Sequence, residues 1–395
     1  MVGVEKRKIR IGMVGYKFMG KAHSHAYRDV SFYFDNQVEP VLQAICGRDQ
    51  AAVKEAAEKM GWLSYETDWR ALIARDDIDL IDIVTPNSSH AEIAIAAAEA
   101  GKHVFCEKPL AMTFEQAKRM LAAVEKNNVL HMINHNYRFA PAVQFAKNLI
   151  NSGRLGRIYH IRAIYLQDWI MDPQFPLVWR LSKEACGSGA HGDLAAHSID
   201  LARFLVGEFK EVSGLMETFI KERPLVEGSS GLSGSASSSK TGPVHVDDAS
   251  LFLARFENGA IGTFEATRFA GGNRNGNRFE INGEKGSVRW DMEKMNELDV
   301  YFHDDEVNVQ GFRTISCTEE GHPFAAAYWP AGHIIGYEHT FINLVVELVK
   351  GLEKGESPAP NFVDGMKNQA VLEAVERSAS LKRWVALSEI ESKFS

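Results

Sequence analysis

The feature that most constrains this chain is an apolar segment, Ile9–Val14, that runs directly into a glycine-bounded turn, Gly15 to Gly20 (GYKFMG). A strand that ends in such a turn and leads into a helix begins a βαβ unit, whose helix N-terminus offers N–H groups to a phosphate. Gly15 suits the tight turn and Gly20 suits close helix packing, but Lys17 replaces the second glycine of the G-x-G-x-x-G spacing. The turn predicts a dinucleotide site, with an ordinary glycine turn as the alternative.

Short apolar runs alternate with helical patterns from residue 8 to about 135, which is typical of a parallel sheet covered by helices. The predicted strands are Ile9–Val14, Val38–Cys46, Leu80–Val84, His103–Cys106 and Leu130–Asn134, and the predicted helices are Gln50–Met60, His90–Ala100 and Phe114–Asn127. Residues 1–135 are therefore predicted to form an α/β Rossmann domain with a doubly wound parallel sheet.

The pattern changes after about residue 136. Longer strands are predicted at Ile158–Leu166 and Ser250–Phe256, and Glu257-Asn258-Gly259 is typical of a hairpin turn. Residues 136–395 are predicted to form an α+β substrate and oligomerisation domain with a large, mostly antiparallel open sheet. The C-terminal helical patterns complete this domain or pack back on the first, and the Gly/Ser-rich residues 228–242 predict a surface loop.

Composition excludes several classes of protein. Lys and Arg number 44 against 52 Asp and Glu, for a net charge of −8, and no basic block suits a nucleic-acid partner. No apolar run has the length of a membrane span or signal peptide, so a cytosolic protein without a membrane partner is predicted. The four cysteines are widely separated, and no His/Cys/Glu cluster has metal-ligand spacing, so neither a disulfide framework nor a metal site is expected.

The second predicted strand ends at Gly47-Arg48-Asp49, where NAD enzymes usually place a carboxylate on the adenosine ribose. Gly47 has no carboxylate. Arg48 suits a ribose 2′-phosphate and slightly favours NADP, whereas Asp49 turned inward would accept the ribose hydroxyl of NAD. A solvated Arg48 is the remaining alternative, so NAD and NADP both stay open.

Three further segments carry candidate functional groups. Thr85–His90 and Glu107-Lys108-Pro109 each follow a predicted strand, where open α/β sheets bind ligands. Asp193 and His197 are four residues apart, so on a helix they share one face, and a carboxylate beside a histidine suits proton transfer near neutral pH. A capping aspartate and a core histidine are the alternative, and His191 and Asp200 compete for the same roles.

Together, the strand and glycine turn, Thr85-Pro86-Asn87 with His90, Glu107-Lys108-Pro109 and Gly192-Asp193 with His197 resemble the glucose–fructose oxidoreductase / inositol dehydrogenase / rhizopine-catabolism (Gfo/Idh/MocA) family. The resemblance spans nearly the whole chain. Tyr165–Trp169, Trp179-Arg180, Gly187–Gly189 and Tyr337–His339 look most like the sugar dehydrogenases of that family that oxidise C3 of a glucose-derived ring.

The resemblance implies that Lys108, Asp193 and His197 face the substrate beside the nicotinamide. The predicted cofactor-binding residues are Gly15, Lys17, Phe18, Met19, Arg48, Thr85, Pro86, Asn87, His90, Glu107, Lys108, Trp179 and Arg180. Planar polar groups and an aromatic wall commonly hold carbohydrate hydroxyls. The predicted substrate-binding residues of those types are Tyr137, Asp168, Trp169, Arg180 and His333.

The predicted activity is an NAD(P)-dependent transfer of a hydride between the nicotinamide and a secondary hydroxyl carbon of a sugar, anhydrosugar or inositol. His197 is the expected base, Lys108 the stabiliser of the developing negative oxygen, and Asp193 orients His197 or binds a neighbouring hydroxyl. A redox-neutral NAD-dependent glycosidase that passes through a 3-keto intermediate and a non-catalytic NAD(P)-binding sensor are the alternatives. The open sheet predicts a homo-oligomer, and the resemblance implies a tetramer.

Overall fold

The computed structural model describes residues 6–225 and 240–392, so most of the Gly/Ser-rich stretch lies outside the described residues. The strands are β1 (Arg7–Val14), β2 (Val38–Cys46), β3 (Ser64–Glu66), β4 (Leu80–Ile83), β5 (His103–Cys106), β6 (His131–Ile133), β7 (Ile158–Leu166), β8 (Phe209–Glu217), β9 (Glu222–Pro224), β10 (Thr241–Pro243), β11 (Ala249–Phe256), β12 (Ile261–Thr267), β13 (Gly276–Gly283), β14 (Gly286–Asp291), β15 (Glu297–Phe302), β16 (Arg313–Ser316) and β17 (Val385–Ala386). The helices are α1 (Phe18–Tyr33), α2 (Gln50–Met60), α3 (Trp69–Ile73), α4 (His90–Glu99), α5 (Phe114–Lys126), α6 (Pro141–Asn151), α7 (Lys183–Cys186), α8 (Ala196–Leu205), α9 (Tyr337–Lys354), α10 (Phe362–Leu381) and α11 (Ser388–Glu391).

The described residues belong to two compact units that are not contiguous in sequence. The first comprises the described parts of Met1–Ala111, Glu115–Phe139 and Ile335–Met366, and the second those of Met112–Phe114, Ala140–Ile334 and Lys367–Ser395. The domain boundary at residue 135 stays a prediction. Helix α9 belongs to the first unit although it lies far along the chain.

The sheet of the first unit has the strand order β3-β2-β1-β4-β5-β6, and every neighbouring pair is parallel. Strands β4 and β6 are buried at every position, as expected for parallel strands with both faces covered. This order is that of a doubly wound dinucleotide-binding fold, so the predicted Rossmann fold is confirmed. Helix α9 packs on α1, where the Phe341 ring lies 5.7 Å from the His23 ring.

The sheet of the second unit has the order β16-β15-β14-β13-β7-β12-β11-β8-β17 and is antiparallel except where β7 pairs with β12. Strand β11 alternates from Ser250 to its end, with Phe252 and Ala254 buried and Leu251 and Leu253 exposed. One face of the sheet is therefore covered and the other is open, which confirms the predicted α+β fold with a large, mostly antiparallel sheet. In the described part of the chain, no helix combines the length and apolarity needed to span a bilayer.

The stability of the first unit should depend on pH through a buried histidine. The Nδ1 atom of His131 accepts the Phe362 N–H at 3.1 Å, and burial lowers the pKa of His131 to about 4. In the unfolded chain His131 takes up a proton below its ordinary pKa of 6.5, whereas in the folded chain it does so only below about 4. The free energy of unfolding is therefore expected to decrease as the pH is lowered from 6.5 to about 4. At about 1.4 kcal/mol per pKa unit, the loss is on the order of 3 kcal/mol.

Urea unfolding of the wild type and of His131→Asn between pH 7 and pH 4 checks this expectation. An asparagine Oδ1 atom can take the place of Nδ1 as acceptor, but it does not titrate. The variant should therefore lose the pH dependence that His131 contributes. Parallel pH profiles for the two proteins would contradict the assignment.

Candidate active site

The turn after β1 requires glycine at two positions for steric reasons. Gly15 has a φ of 113°, and a Cβ atom there would lie 2.8 Å from the Val84 carbonyl oxygen. A Cβ atom on Gly20 would lie 2.8 Å from the Gly15 carbonyl oxygen. The Lys17 and Phe18 side chains are exposed where α1 begins, and no side chain caps the helix there. This close backbone turn, the uncapped helix N-terminus and the exposed cation fit a dinucleotide pyrophosphate.

The end of β2 differs from the usual ribose site in a way that the sequence did not reveal. A Cβ atom on Gly47 would lie 2.1 Å from the Tyr16 ring, so any side chain at that position would require the ring to move. Asp49 caps α2 by accepting the Ala52 N–H at 3.0 Å. Burial and the Asp49 carboxylate raise the pKa of Tyr16, and the exposed Arg48 acts against them. Tyr16 thus lies against Gly47, close enough to Asp49 and Arg48 for their charges to act on it.

The turns after β4 and β5 are tied together by a buried histidine. The His90 ring lies 2.9 Å from the Thr85 carbonyl oxygen through Nε2 and 3.0 Å from the Pro109 carbonyl oxygen through Nδ1. Burial lowers the pKa of His90, so the neutral ring donates to one carbonyl at a time. Because His90 has no exposed surface, its role is to join the two turns. The other candidates on the turns after β1 and β4 are at least partly exposed: Met19, Pro86 and Asn87.

A buried polar network lies beside Lys108. His23 of α1 donates from Nδ1 to Asp82 of β4 at 2.9 Å and from Nε2 to Glu107 at 2.9 Å. The Asn134 amide also donates to Glu107 Oε1, at 2.5 Å, and the Lys108 N–H donates to Glu107 Oε2 at 3.1 Å. His23, Asp82, Glu107 and Asn134 are all buried, whereas Lys108 is half-buried. Both carboxylate oxygens of Glu107 therefore accept hydrogen bonds from within the protein, and Lys108 is the next residue in the chain.

The charges of this network support one another. Burial lowers the pKa of His23, but the carboxylates of Asp82 and Glu107 outweigh burial and raise the pKa to about 10. Burial raises the pKa of Glu107, yet His23, Lys108 and Asn134 together hold it below its ordinary value. Sequence reasoning missed His23. Asp82 could have pointed to it, because an acidic residue inside an otherwise apolar predicted strand needs a buried partner.

In the second unit, Asp193 lies in a π-helical turn, His191–Ala195, that precedes α8. Such wide turns are rare and occur often at functional sites. The buried Asp247 carboxylate holds the start of the turn, because it accepts the N–H groups of Gly189 and His191 at 2.7 Å each. Gly189 is required there, since a Cβ atom would lie 1.9 Å from the Asp247 carbonyl oxygen. The four-residue spacing of Asp193 and His197 therefore spans the end of a π-helical turn and the start of α8 and does not lie on one regular α-helix.

Two arginines hold the Asp193 carboxylate. Arg268, which is fully buried, donates from Nη2 to Asp193 Oδ2 at 2.7 Å, and the Arg180 Nε atom lies 4.0 Å from the same oxygen. The Arg180 guanidinium stacks over the Trp179 ring at 4.3 Å, and that of Arg268 lies 5.2 Å from the Trp169 ring. The predicted residues Trp169, Trp179, Arg180 and Asp193 therefore form one cluster, with Arg268 as a member that the sequence pattern did not indicate.

His197 lies in the first turn of α8 and is buried, with its ring centroid 5.8 Å from that of Tyr165. The Tyr165 hydroxyl donates to Asn275 Oδ1 at 2.7 Å, and Gln167 donates to the same oxygen at 3.0 Å. Asn275, shared by Tyr165 of β7 and by Gln167 just after it, therefore holds the tyrosine ring beside His197. The competing His191 is occupied elsewhere, because its Nε2 atom donates to the Leu372 carbonyl oxygen and its Nδ1 atom faces the Ser250 hydroxyl.

The remaining substrate candidates have other surroundings. The Asp168 carboxylate accepts from residues 272–274, with the Gly272 N–H and the Arg274 guanidinium both at 3.2 Å. His333 is exposed and donates to a backbone carbonyl in its own turn at 2.8 Å. Tyr137 belongs to the first unit, where its buried ring lies 6.3 Å from that of Tyr337. Sugar contacts for these three residues stay predictions.

The strand order and the glycine turn define a dinucleotide-binding Rossmann fold, and comparison with known families gives the class of the protein as an NAD-binding oxidoreductase. Residues 9–135 match the model described as "Oxidoreductase family, NAD-binding Rossmann fold", and residues 143–289 match "GFO/IDH/MocA C-terminal domain". The chain belongs to the GFO/IDH/MocA oxidoreductase family.

Individual relatives cover nearly the whole chain. Levoglucosan dehydrogenase of Pseudarthrobacter phenanthrenivorans is 43% identical over 390 residues, which are 98% of this chain and 100% of the relative. A solved oxidoreductase domain protein from Kribbella flavida superposes with a TM-score of 0.92 at 50% identity, covering 96% of this chain and 99% of its own. A levoglucosan dehydrogenase solved with NADH and levoglucosan has a TM-score of 0.91 at 43% identity, with the same coverage.

Proposed function

We propose that this chain is a dehydrogenase that oxidises a secondary hydroxyl of an anhydrosugar or a related sugar, with inositols as the wider class. The observation that carries the proposal is the cluster in the second unit, where an arginine-held Asp193 precedes a buried His197. The likeness to levoglucosan dehydrogenase, which has been solved with its anhydrosugar, supports the substrate class. In this proposal the first unit binds the nucleotide and the second unit presents the substrate residues.

The chain's own residues divide the work of alcohol oxidation. The nicotinamide, when bound, accepts the hydride from the alcohol carbon. His197 removes the hydroxyl proton, Lys108 donates a hydrogen bond to the oxygen as it becomes negative, and Asp193 accepts from a neighbouring hydroxyl or orients His197. Arg268 and Arg180 keep the Asp193 carboxylate in place, so its acceptor oxygens are directed before substrate arrives.

A screen of anhydrosugars, sugars and inositols against both NAD⁺ and NADP⁺, read by absorbance of the reduced cofactor, tests the function. Net reduction with an anhydrosugar supports the dehydrogenase. Sugar release without net reduction would select the redox-neutral glycosidase, and nucleotide binding without any turnover would select the sensor.

We also propose that Arg48 recognises the cofactor, with a slight preference for NADP. Arg48 is exposed next to Tyr16, and residue 47 is a glycine with no carboxylate, so the repulsion that normally rejects a 2′-phosphate is reduced. The capping role of Asp49 leaves it one carboxylate oxygen for a ribose hydroxyl, which keeps NAD open.

Arg48→Ala is expected to weaken NADP binding more than NAD binding, because only NADP carries the 2′-phosphate. Dissociation constants for both cofactors, from fluorescence titration, check this at low salt, where the ion pair is least screened. Arg70→Ala, an exposed arginine on α3, is the matched control and should change neither constant. Equal weakening of the two cofactors by Arg48→Ala would remove the preference for NADP.

The open face of the second sheet supports assembly, and we take the partner to be further copies of this chain, as a tetramer. Leu215, Leu251, Leu253 and Ile261 are all exposed on neighbouring strands of this face. A contiguous apolar surface of this kind usually marks an interface. Light scattering that gives the mass of one chain would contradict the assembly. The four cysteines are buried free thiols, which supports a reducing compartment such as the cytosol.

A further inference from the structure

The network around His23 contains charged groups that the proposed reaction does not use. His23 is 1% exposed, and its two ring nitrogens face two different carboxylates, Asp82 on β4 and Glu107 after β5. Tyr27, one turn further along α1, is buried beside Asp82. Burying a histidine that pairs with two carboxylates costs free energy unless the geometry of the pairs is well defined. We therefore asked what the buried His23 does in this fold.

The geometry connects His23 to the backbone of Lys108 through a single carboxylate. Glu107 Oε1 accepts from His23 Nε2 at 2.9 Å and from the Asn134 amide at 2.5 Å. Glu107 Oε2 accepts the Lys108 N–H at 3.1 Å. His23 and Asn134 therefore hold one oxygen of Glu107, and the other oxygen holds the Lys108 backbone.

The position of His23 on α1 also links Glu107 to the glycine turn at the start of that helix. His23 lies on α1 one turn after Gly20, in the helix whose N-terminus fits the pyrophosphate. One rigid helix thus carries both the cofactor turn and the group that fixes Glu107.

We propose that His23 is a positioning residue, which holds the Glu107 carboxylate and thereby sets the backbone from which Lys108 extends. The inference rests on the proposed function only in that Lys108 acts on the substrate oxygen. A purely structural His23 would neutralise buried carboxylates without any particular effect at Lys108, and the two roles can be separated by experiment.

Two variants of His23 form a matched pair. An asparagine amide can replace Nδ1 as donor to Asp82 but does not reach Glu107, whereas a glutamine amide can replace Nε2 as donor to Glu107. His23→Asn is expected to lower kcat about 10- to 100-fold, the size of effect that misplacement of a reacting group produces. His23→Gln should restore most of kcat. Equal losses in the two variants would overturn the role through Glu107.

A double-mutant cycle with Lys108→Met tests whether the effect passes through Lys108. If it does, His23→Asn should cost little further kcat once Lys108 is gone, since coupled residues do not add. Losses that multiply in full would assign His23 a separate role and overturn the proposal. His131→Asn, which removes another buried histidine of the same unit, is the control and should leave kcat unchanged.

The Lys108 amide gives a readout without turnover. In cofactor-free protein labelled with ¹⁵N-lysine, the Lys108 signal is identified by its loss in Lys108→Met. It is expected to shift in His23→Asn, because its acceptor moves, and to stay near the wild-type position in His23→Gln. An unmoved signal in a folded His23→Asn variant would overturn the proposal whatever the enzyme's activity. If that variant does not fold, a displaced signal in His23→Gln would overturn it. Wild-type turnover in Lys108→Met, by contrast, would refute only the role proposed for Lys108.

Discussion

Replacement of His197 by alanine is expected to lower kcat for alcohol oxidation about 10²–10⁴-fold, the usual contribution of a general base. The hydride can leave the alcohol carbon only as the hydroxyl proton is removed, so loss of the acceptor slows the step itself. His197 is not among the predicted cofactor-binding residues, and it lies in the second unit whereas the glycine turn lies in the first, so the dissociation constant of the cofactor should change far less than kcat. Steady-state turnover beside a cofactor titration measures both.

The pH profile identifies the base more sharply than the rate alone. In the wild type, kcat/KM for oxidation should rise with pH as a histidine loses its proton, and this ascending limb should disappear in His197→Ala. His303→Ala, which removes an exposed histidine of the same unit, is the matched control and should keep the limb. If His197→Ala retains both near-wild-type turnover and the ascending limb, His197 is not the base.

Replacement of Lys108 by methionine is expected to lower kcat about 10²–10³-fold, as loss of one donor to a developing negative oxygen typically does. Methionine keeps the length and apolar stem of the side chain but removes the ammonium group. Cofactor affinity should change much less than kcat, because the lost interaction strengthens only as the oxygen becomes negative. Lys126→Met, an exposed lysine at the end of α5, is the control for loss of a positive charge in the same unit.

The two variants also test whether Lys108, in place of His197, is the base. If Lys108 rather than His197 removes the proton, Lys108→Met should lose the ascending limb of the pH profile while His197→Ala retains it. If Lys108 stabilises the oxygen, Lys108→Met should turn over slowly at every pH with the limb intact. The full pair of profiles therefore separates proton removal from charge stabilisation.

Much of the fold could be predicted because local patterns determine it. The apolar runs that became β1, β2, β4 and β5 are each buried over at least their last three residues, and such runs between helical patterns specify a parallel sheet. Gly15 and Gly20 were interpretable for the same reason, since a tight turn and a close helix approach leave no room for a side chain. The candidate segments around Lys108 and Asp193 came from residue type and spacing together with the family resemblance, and their roles stay predictions.

The sequence by itself thus determined the parallel sheet, the position of the glycine turn and the residue types available for chemistry, because each depends on neighbours within a few residues. Only the tertiary structure decided what surrounds each functional group. Arg268 meets Asp193 across 75 residues, His23 meets Glu107 across 84, and Tyr16 reaches Gly47 from a different βα turn. Charge pairing and steric exclusion act through space, so partners that distant in sequence are set by the folded backbone and leave no local pattern to read.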